Sequence, residues 1–201
     1  MRVVSPDVAL GLGPKWRETE IIGGRQVDKN VSEVEVRMIA ALTKFVNPKI
    51  VMELGTANGR TTLNLAKHCA PRGHVYTIDL EVCGERIQDY PEYRDKITKL
   101  LGSTHEFDFQ EFLGQCNFVF VDAGHRDIEV LKDSLLAIRL LAHDGVIVWH
   151  DYNPDDPPNQ VWETIDFFSR YYPGLSPVWV EGSNLVVHRQ GNLPCIDRAS
   201  S

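Results

Sequence analysis

The sequence predicts an α/β fold with a mostly parallel sheet of seven strands, closed at its end by an antiparallel hairpin. Three observations support this. Short apolar runs at residues 50–54, 118–121 and 146–149 read as strands buried on both faces of a parallel sheet. Segments with helical spacing alternate with them. A turn bounded by Gly55 and Gly59 joins the first of these strands to a helix and lies beside an acid, Glu53.

The elements follow in order. Residues 1–30 show no period and are punctuated by Gly11, Gly13, Pro14, Gly23 and Gly24, so a loop or a lid over a site is expected. Ser32 opens a capping box with Glu35, and Ile39, Leu42, Phe45 and Val46 continue at helical spacing until Asn47-Pro48. A strand at 50–54 leads to a helix at 60–68 with Leu63 and Ala66 facing inward. A strand at 74–79, a short helix at 86–90, a weaker strand at 97–101 and a short helix at 107–113 come next. The apolar strand at 118–121 precedes a helix at 128–141, whose core side is read as Val130, Leu131, Leu135, Ile138 and Leu141. After the strand at 146–149, a helix at 162–172 bears the stripe Phe167, Phe168, Tyr171 and Tyr172, suited to core packing or a dimer contact. Strands at 178–180 and 185–188 flank Gly182-Ser-Asn as a terminal hairpin. The expected organisation is an N-terminal lid or substrate segment at 1–31, one domain at 32–191, and a frayed tail at 192–201.

Bulk composition narrows the function. A chain of 201 residues, 43% hydrophobic and 24% charged, suits one soluble globular domain. The formal charge of -7 and the lack of a Lys/Arg block argue against a nucleic-acid partner. No apolar run approaches the ~20 residues of a membrane span, and the first residues lack the apolar core of a signal peptide. Cys69, Cys83, Cys116 and Cys195 form no Cys-x-x-Cys pair, which fits reduced thiols in a cytoplasmic protein.

Ligands of open α/β sheets sit beyond the carboxyl ends of the strands. Glu53, Asp79, Asp122 and Asp151 all fall at or near such ends. One strand-end acid is ordinary, because turns favour Asp; four in one sheet point to a site. The turn 55–59 has neither the Gly-Lys-Ser/Thr of a phosphate loop nor Gly-x-Gly-x-x-Gly, since Ala57 holds the middle place. A carboxylate at Asp79 suits the two hydroxyls of a ribose. Glu53 suits an ammonium or sulfonium group by charge, or else a capping or salt-bridge role.

Four blocks then stand in sequence: Glu53-Leu-Gly-Thr-Ala-Asn-Gly59, Thr77-Ile-Asp-Leu80, Phe118-Val-Phe-Val-Asp-Ala-Gly-His125 and Gly145-Val-Ile-Val-Trp-His-Asp-Tyr152. Together they resemble the class I S-adenosylmethionine-dependent methyltransferases, with a Rossmann-like sandwich. The last two blocks look like the small-molecule O-methyltransferase branch, which includes metal-dependent sugar and natural-product enzymes. The resemblance covers about residues 32–189. It implies that Glu53, Gly55, Thr56, Ala57, Asn58 and Gly59 contact the methionine part of S-adenosylmethionine. It also implies that Asp79 binds the ribose and that Leu80, Gly102 and Ser103 lie at the adenine. Ser103 departs from the Asp common at that place in the family.

Methyl transfer to a hydroxyl requires that the acceptor be held in line and its proton removed. A divalent metal such as Mg2+ or Mn2+ serves both needs and favours carboxylate oxygens. Asp122 and Asp151 end two strands that a right-handed crossover sets side by side, and the resembling metal-dependent enzymes place ligands at these two ends. Next to Asp151 the family usually has another oxygen ligand; here the neighbours are His150 and Tyr152. His150 is read as the third metal ligand, with substrate binding and core packing as the other readings. His125 suits a base that takes the hydroxyl proton; the other reading is a cap on the helix that follows. Asn153-Pro-Asp-Asp-Pro-Pro has the look of the Asn-Pro-Pro-Tyr signature of amino-directed nucleic-acid methyltransferases but follows the wrong strand, so a loop at the site rim is expected. Trp16 and Gly23-Gly24 are expected on the opposite wall. The function expected is O-methylation of a small hydroxylated molecule. The alternatives are a metal-independent methyltransferase and a non-catalytic cofactor-binding protein. A homodimer is the expected assembly, if any.

Overall fold

A computed structural model describes residues 1–24, 31–155 and 160–191. Among these residues, eight strands form one sheet in the order β1-β7-β8-β6-β5-β2-β3-β4. They are β1 (Arg2–Val4), β2 (Ile50–Leu54), β3 (His74–Asp79), β4 (Ile97–Leu101), β5 (Cys116–Val121), β6 (Leu141–Trp149), β7 (Val178–Val180) and β8 (Val186–Arg189). Strand β8 runs antiparallel to β6 and β7, and every other pairing is parallel. The helices are α1 (Pro6–Ala9), α2 (Glu33–Val46), α3 (Arg60–His68), α4 (Asp127–Leu140) and α5 (Val161–Tyr171).

The sheet is apolar on both faces because helices cover both. Along β5, Phe118 and Phe120 join the core beneath α2 and α3, while Val119 and Val121 join the core beneath α4 and α5. The same alternation runs through Val146, Ile147, Val148 and Trp149 of β6. In β2, Val51 faces the α2 and α3 side. Two residues on, Glu53 takes the same face with no exposure at all.

The eighth strand is the main addition to the expected sheet. β1 pairs in parallel with β7 at the sheet edge, within the segment read as loop or lid. It has three residues and a mostly exposed pattern, so no alternation marks it in the sequence. Trp16 lies 5% exposed in the core and donates to Asp7 Oδ1 at 2.8 Å, so it packs the domain rather than walling a site. The α4 core face is also rotated from the expected one. Val130, Asp133, Ser134, Ala137 and Leu140 are buried, whereas Leu135 is exposed. The α5 stripe divides: Phe168 is core, while Phe167 and Tyr171 face solvent. No helix among the described residues is long and apolar enough to cross a membrane. Part of the expected rim loop (156–159) and the tail from 192, with Cys195, lie outside the described residues.

Strands β2 and β5 are neighbours, yet the chain leaves β2 toward β3 on one side and leaves β5 toward β6 on the other. This is the switch point at which open sheets bind ligands. Gly55 stands at it with φ +97, and a Cβ there would lie 2.1 Å from the Asp122 carbonyl oxygen, so no side chain fits.

Candidate active site

A cavity of about 410 Å3 opens at the switch point. It is lined by Gly55, Ala57, Asp79, Leu80, Gly102 and Ser103, together with Asp122, Ala123, Gly124, His125 and Asp151. Ten cofactor residues were expected, and six of them reach its wall.

The glycine turn is tied down by Asp79. Asp79 Oδ2 accepts from the amides of Thr56 (2.9 Å) and Ala57 (3.0 Å). Burial works to raise the Asp79 pKa, but these bonds, with those from the Cys83 thiol and the Glu81 amide, outweigh it and keep the carboxylate below its ordinary value. Ala57 is held at φ +44, a left-handed conformation rare for a residue with a side chain. The Thr56 hydroxyl bonds Thr77 Oγ1 at 2.6 Å behind the turn. Asn58 Oδ1 accepts from the Arg60 amide, and Gly59 is the N-cap of α3 at φ +84.

Glu53 lies beneath the turn and does not line the cavity. The Thr62 hydroxyl donates to its Oε2 at 2.5 Å, and its Oε1 has no partner. Burial pushes its carboxyl up to about 8, against the bonds from Thr62 and Thr77. That shift favours the neutral acid, which is packed under the turn and away from the cavity wall.

Donor atoms of Asp122, His125 and Asp151, also on the cavity wall, all lie within 4.8 Å of one another. His125 Nε2 is 2.6 Å from Asp151 Oδ2, and that bond raises the imidazole pKa. Asp151 sits at φ +60, a strained position for an aspartate. Burial alone would raise its pKa, yet His125 and His150 together depress it.

His150 is turned inward, 8% exposed. Its Nδ1 is 3.2 Å from Asp122 Oδ1 and 3.1 Å from Asp151 Oδ1, and its Nε2 is 3.3 Å from Glu35 Oε2. Both ring nitrogens face carboxylate oxygens, so both donate and the ring is an imidazolium. Burial opposes that charge, but the surrounding carboxylates raise the pKa well above the ordinary value. In this arrangement His150 stands behind the two aspartates rather than beside them as a donor.

Several site residues escaped the sequence reading. Glu35 was legible only as a helix cap; its Oε1 also accepts from the Asn184 amide at 2.7 Å, which fastens α2 to the terminal hairpin. Thr104 and His105 also line the cavity. Asp133, 1% exposed, accepts from Thr104 Oγ1 at 2.6 Å and from the Gly124 amide at 3.3 Å, and lies 3.3 Å from His105 Nε2. One signal was available for Asp133: an acid among the core-facing positions of an amphipathic helix needs a polar partner.

Sheet order, switch-point cavity and glycine turn define the fold of the class I S-adenosylmethionine-dependent methyltransferases. Residues 52–152 match the methyltransferase domain family, and the chain belongs to that family. Among solved structures, an O-methyltransferase from Bacillus cereus in complex with S-adenosylhomocysteine is similar, with a TM-score of 0.67 and 16% identity over 82% of this chain and 84% of that one. TomG, an O-methyltransferase from Streptomyces achromogenes involved in tomaymycin synthesis and solved with S-adenosylmethionine, has a TM-score of 0.63 and 19% identity over 91% of this chain and 90% of that one. A methyltransferase from Geobacter sulfurreducens matches at a TM-score of 0.63 and 14% identity, over 94% of this chain and 90% of that one. No curated protein matches the sequence significantly.

Proposed function

We propose that this protein transfers the methyl group of S-adenosylmethionine to a hydroxyl of a small molecule, with His125 as base and a divalent metal at Asp122 and Asp151. The observation that supports this best is the cluster of Asp122, His125 and Asp151 on the wall of the same cavity that Asp79, Leu80 and Gly102 line. Acceptor and cofactor then share one chamber, as in-line displacement requires.

The residues present fit both groups. A cavity of about 410 Å3 is of the size that holds small-molecule ligands. Asp79, on the cavity wall with Oδ2 holding the turn amides, is the carboxylate for a ribose. The carboxylates of Asp122 and Asp151 bring oxygen atoms within 4.8 Å of each other, a donor pair that suits a hard ion such as Mg2+ or Mn2+. When bound, the cofactor supplies a methyl sulfonium carbon open to displacement, and the metal supplies a Lewis acid that lowers the hydroxyl pKa.

The chain's own work is to hold the acceptor and move its proton. The Asp151 carboxylate accepts from Nε2–H of His125 and so leaves Nδ1 with the lone pair. Nδ1 takes the hydroxyl proton, and Asp151 steadies the imidazolium that results. A second reading, the same transfer without metal, is favoured by that 2.6 Å bond, which orients the base unaided. A non-catalytic cofactor binder has no use for this dyad.

The test is methyl transfer from labelled cofactor to a panel of sugars, catechols and polyketide phenols, with and without chelator. Turnover that stops on chelation and returns with Mg2+ or Mn2+ supports the metal reading. Turnover that persists under chelation but fails in His125→Ala supports the dyad. If no transfer occurs and S-adenosylhomocysteine does not bind, the whole reading falls.

A further inference from the structure

Helix α5 keeps one side open to solvent. Its inner side is committed, with Val161, Ile165 and Phe168 in the core against the sheet. On the outer side Glu163, Phe167 and Arg170 follow at spacings of four and three, so they form one stripe, and Tyr171 stands beside it. All four are exposed. Phe167 is 57% exposed and Tyr171 69%, yet their rings pack on each other with centroids 4.8 Å apart. A lone exposed apolar side chain needs no explanation. Two rings already ordered against each other form an apolar patch that loses little freedom on binding.

Opposite charges flank this patch. Glu163 lies about one turn before Phe167, and Arg170 about one turn after it. Glu163 forms no ion pair among the described residues. Arg170 Nη2 is 4.0 Å from Asp166 Oδ2, and the other oxygen of Asp166 accepts from the Tyr152 hydroxyl at 3.0 Å. An exposed pair at 4.0 Å is weak, so the guanidinium is open to a second acid.

An acid, an aromatic centre and a base in this order make a surface complementary to itself once the helix is turned end for end. We propose that a second copy of this chain packs its α5 antiparallel against this one, about a two-fold axis at Phe167, with Glu163 of each copy facing Arg170 of the other. Symmetry supplies that ion pair twice, and the Phe167 and Tyr171 rings of both copies fill the space between. The stripe holds one acid and one base, so two copies meet there without net repulsion, although the whole chain carries a formal charge of -7. An anionic membrane surface gains nothing from such a balance. A single helix pair is a small interface, so a dissociation constant on the order of 1–100 μM is expected.

The experiment is analytical ultracentrifugation of the full chain from about 1 to 300 μM, a range that brackets the expected constant. Wild type should pass from monomer to dimer across it; a chain that stays monomeric throughout overturns the proposal. Phe167→Glu should weaken the dimer by more than about tenfold, because it sets two acids at the axis. Glu163→Arg and Arg170→Glu should each weaken it by about 3- to 30-fold, since each makes both facing pairs like-charged. The two reversals together put every base back opposite an acid and should restore the constant to within about threefold of wild type. That recovery is specific to the antiparallel pairing. A dimer indifferent to Phe167→Glu, or charge reversals that do not rescue each other, places the contact on another face and overturns the proposal. All three positions are exposed, and far-UV circular dichroism checks that each variant keeps its fold. The outcome does not depend on cofactor or substrate, so it stands apart from the methyltransferase reading.

Discussion

His150 Nε2 lies 3.3 Å from Glu35 Oε2, a contact that joins the end of β6 to the first turn of α2 across 115 residues of chain. Glu35 thus caps its own helix through Ser32, anchors the terminal hairpin through Asn184, and balances the imidazolium behind Asp122 and Asp151. It is the hub through which α2, the hairpin and the Asp122–Asp151 pair keep their relative positions.

Replacing Glu35 should therefore be costly in a pH-dependent way. Burial would raise its pKa, but His150, Asn184 and Ser32 bring it down to about 2 from 4.5. A depressed carboxylate stabilises the fold above its unfolded pKa and loses that effect as pH falls toward the folded one. Glu35→Gln should lose roughly 3 kcal/mol at pH 7, and the gap to wild type should shrink to less than half by about pH 3. Urea denaturation at the two pH values checks this; a gap that does not depend on pH would refute it.

Asp79→Asn should weaken S-adenosylhomocysteine binding by about tenfold or more, because it slackens the turn held by the Thr56 and Ala57 amides and, on the proposed function, alters the ribose acceptor. The melting temperature should fall by only a few degrees, about 1 kcal/mol. Unchanged affinity would take the ribose role away from Asp79.

Asp122→Asn should remove turnover, since on the proposed function Asp122 holds the metal beside Asp151; S-adenosylhomocysteine titration checks that the variant still folds and binds. Full activity in this variant would dismiss the metal site.

His125→Ala should lower kcat by about 100- to 10,000-fold with little change in cofactor affinity. The pH profile gives a second check. The base works when neutral, so the rate rises with pH through the His125 pKa, which Asp151 holds above its ordinary value. In Asp151→Asn that support is gone, and the rising limb should move to lower pH. A limb that stays put would assign the proton to another group.

Gly55→Ala meets two obstacles at once: φ +97 and the Asp122 carbonyl 2.1 Å from the new methyl. The expected cost is about 3 kcal/mol, with cofactor binding and activity both lost because the ends of β2 and β5 part. Differential scanning calorimetry with a binding titration measures both.

Local pattern alone determined much of this protein. Apolar runs set β2, β3, β5 and β6, helical spacing set α2 and α3, and Ser32 with Glu35 set a helix start, because each depends on neighbours within a few residues. The glycines at 55 and 59, both at positive φ, marked the turn that borders the cavity, since a turn's conformation is a local demand. Only the tertiary structure decided which side chains meet. It buried Glu53 under the turn, drew His150 back toward Glu35, set His125 against Asp151, and paired Asp133 with Thr104. It also placed β1 on the sheet edge, where three residues carry too little pattern to reveal a partner 176 positions away in the register Arg2 to Val178. Such pairings depend on how sheet and helices stack, and a buried charge takes its partner from whatever that stacking brings within reach.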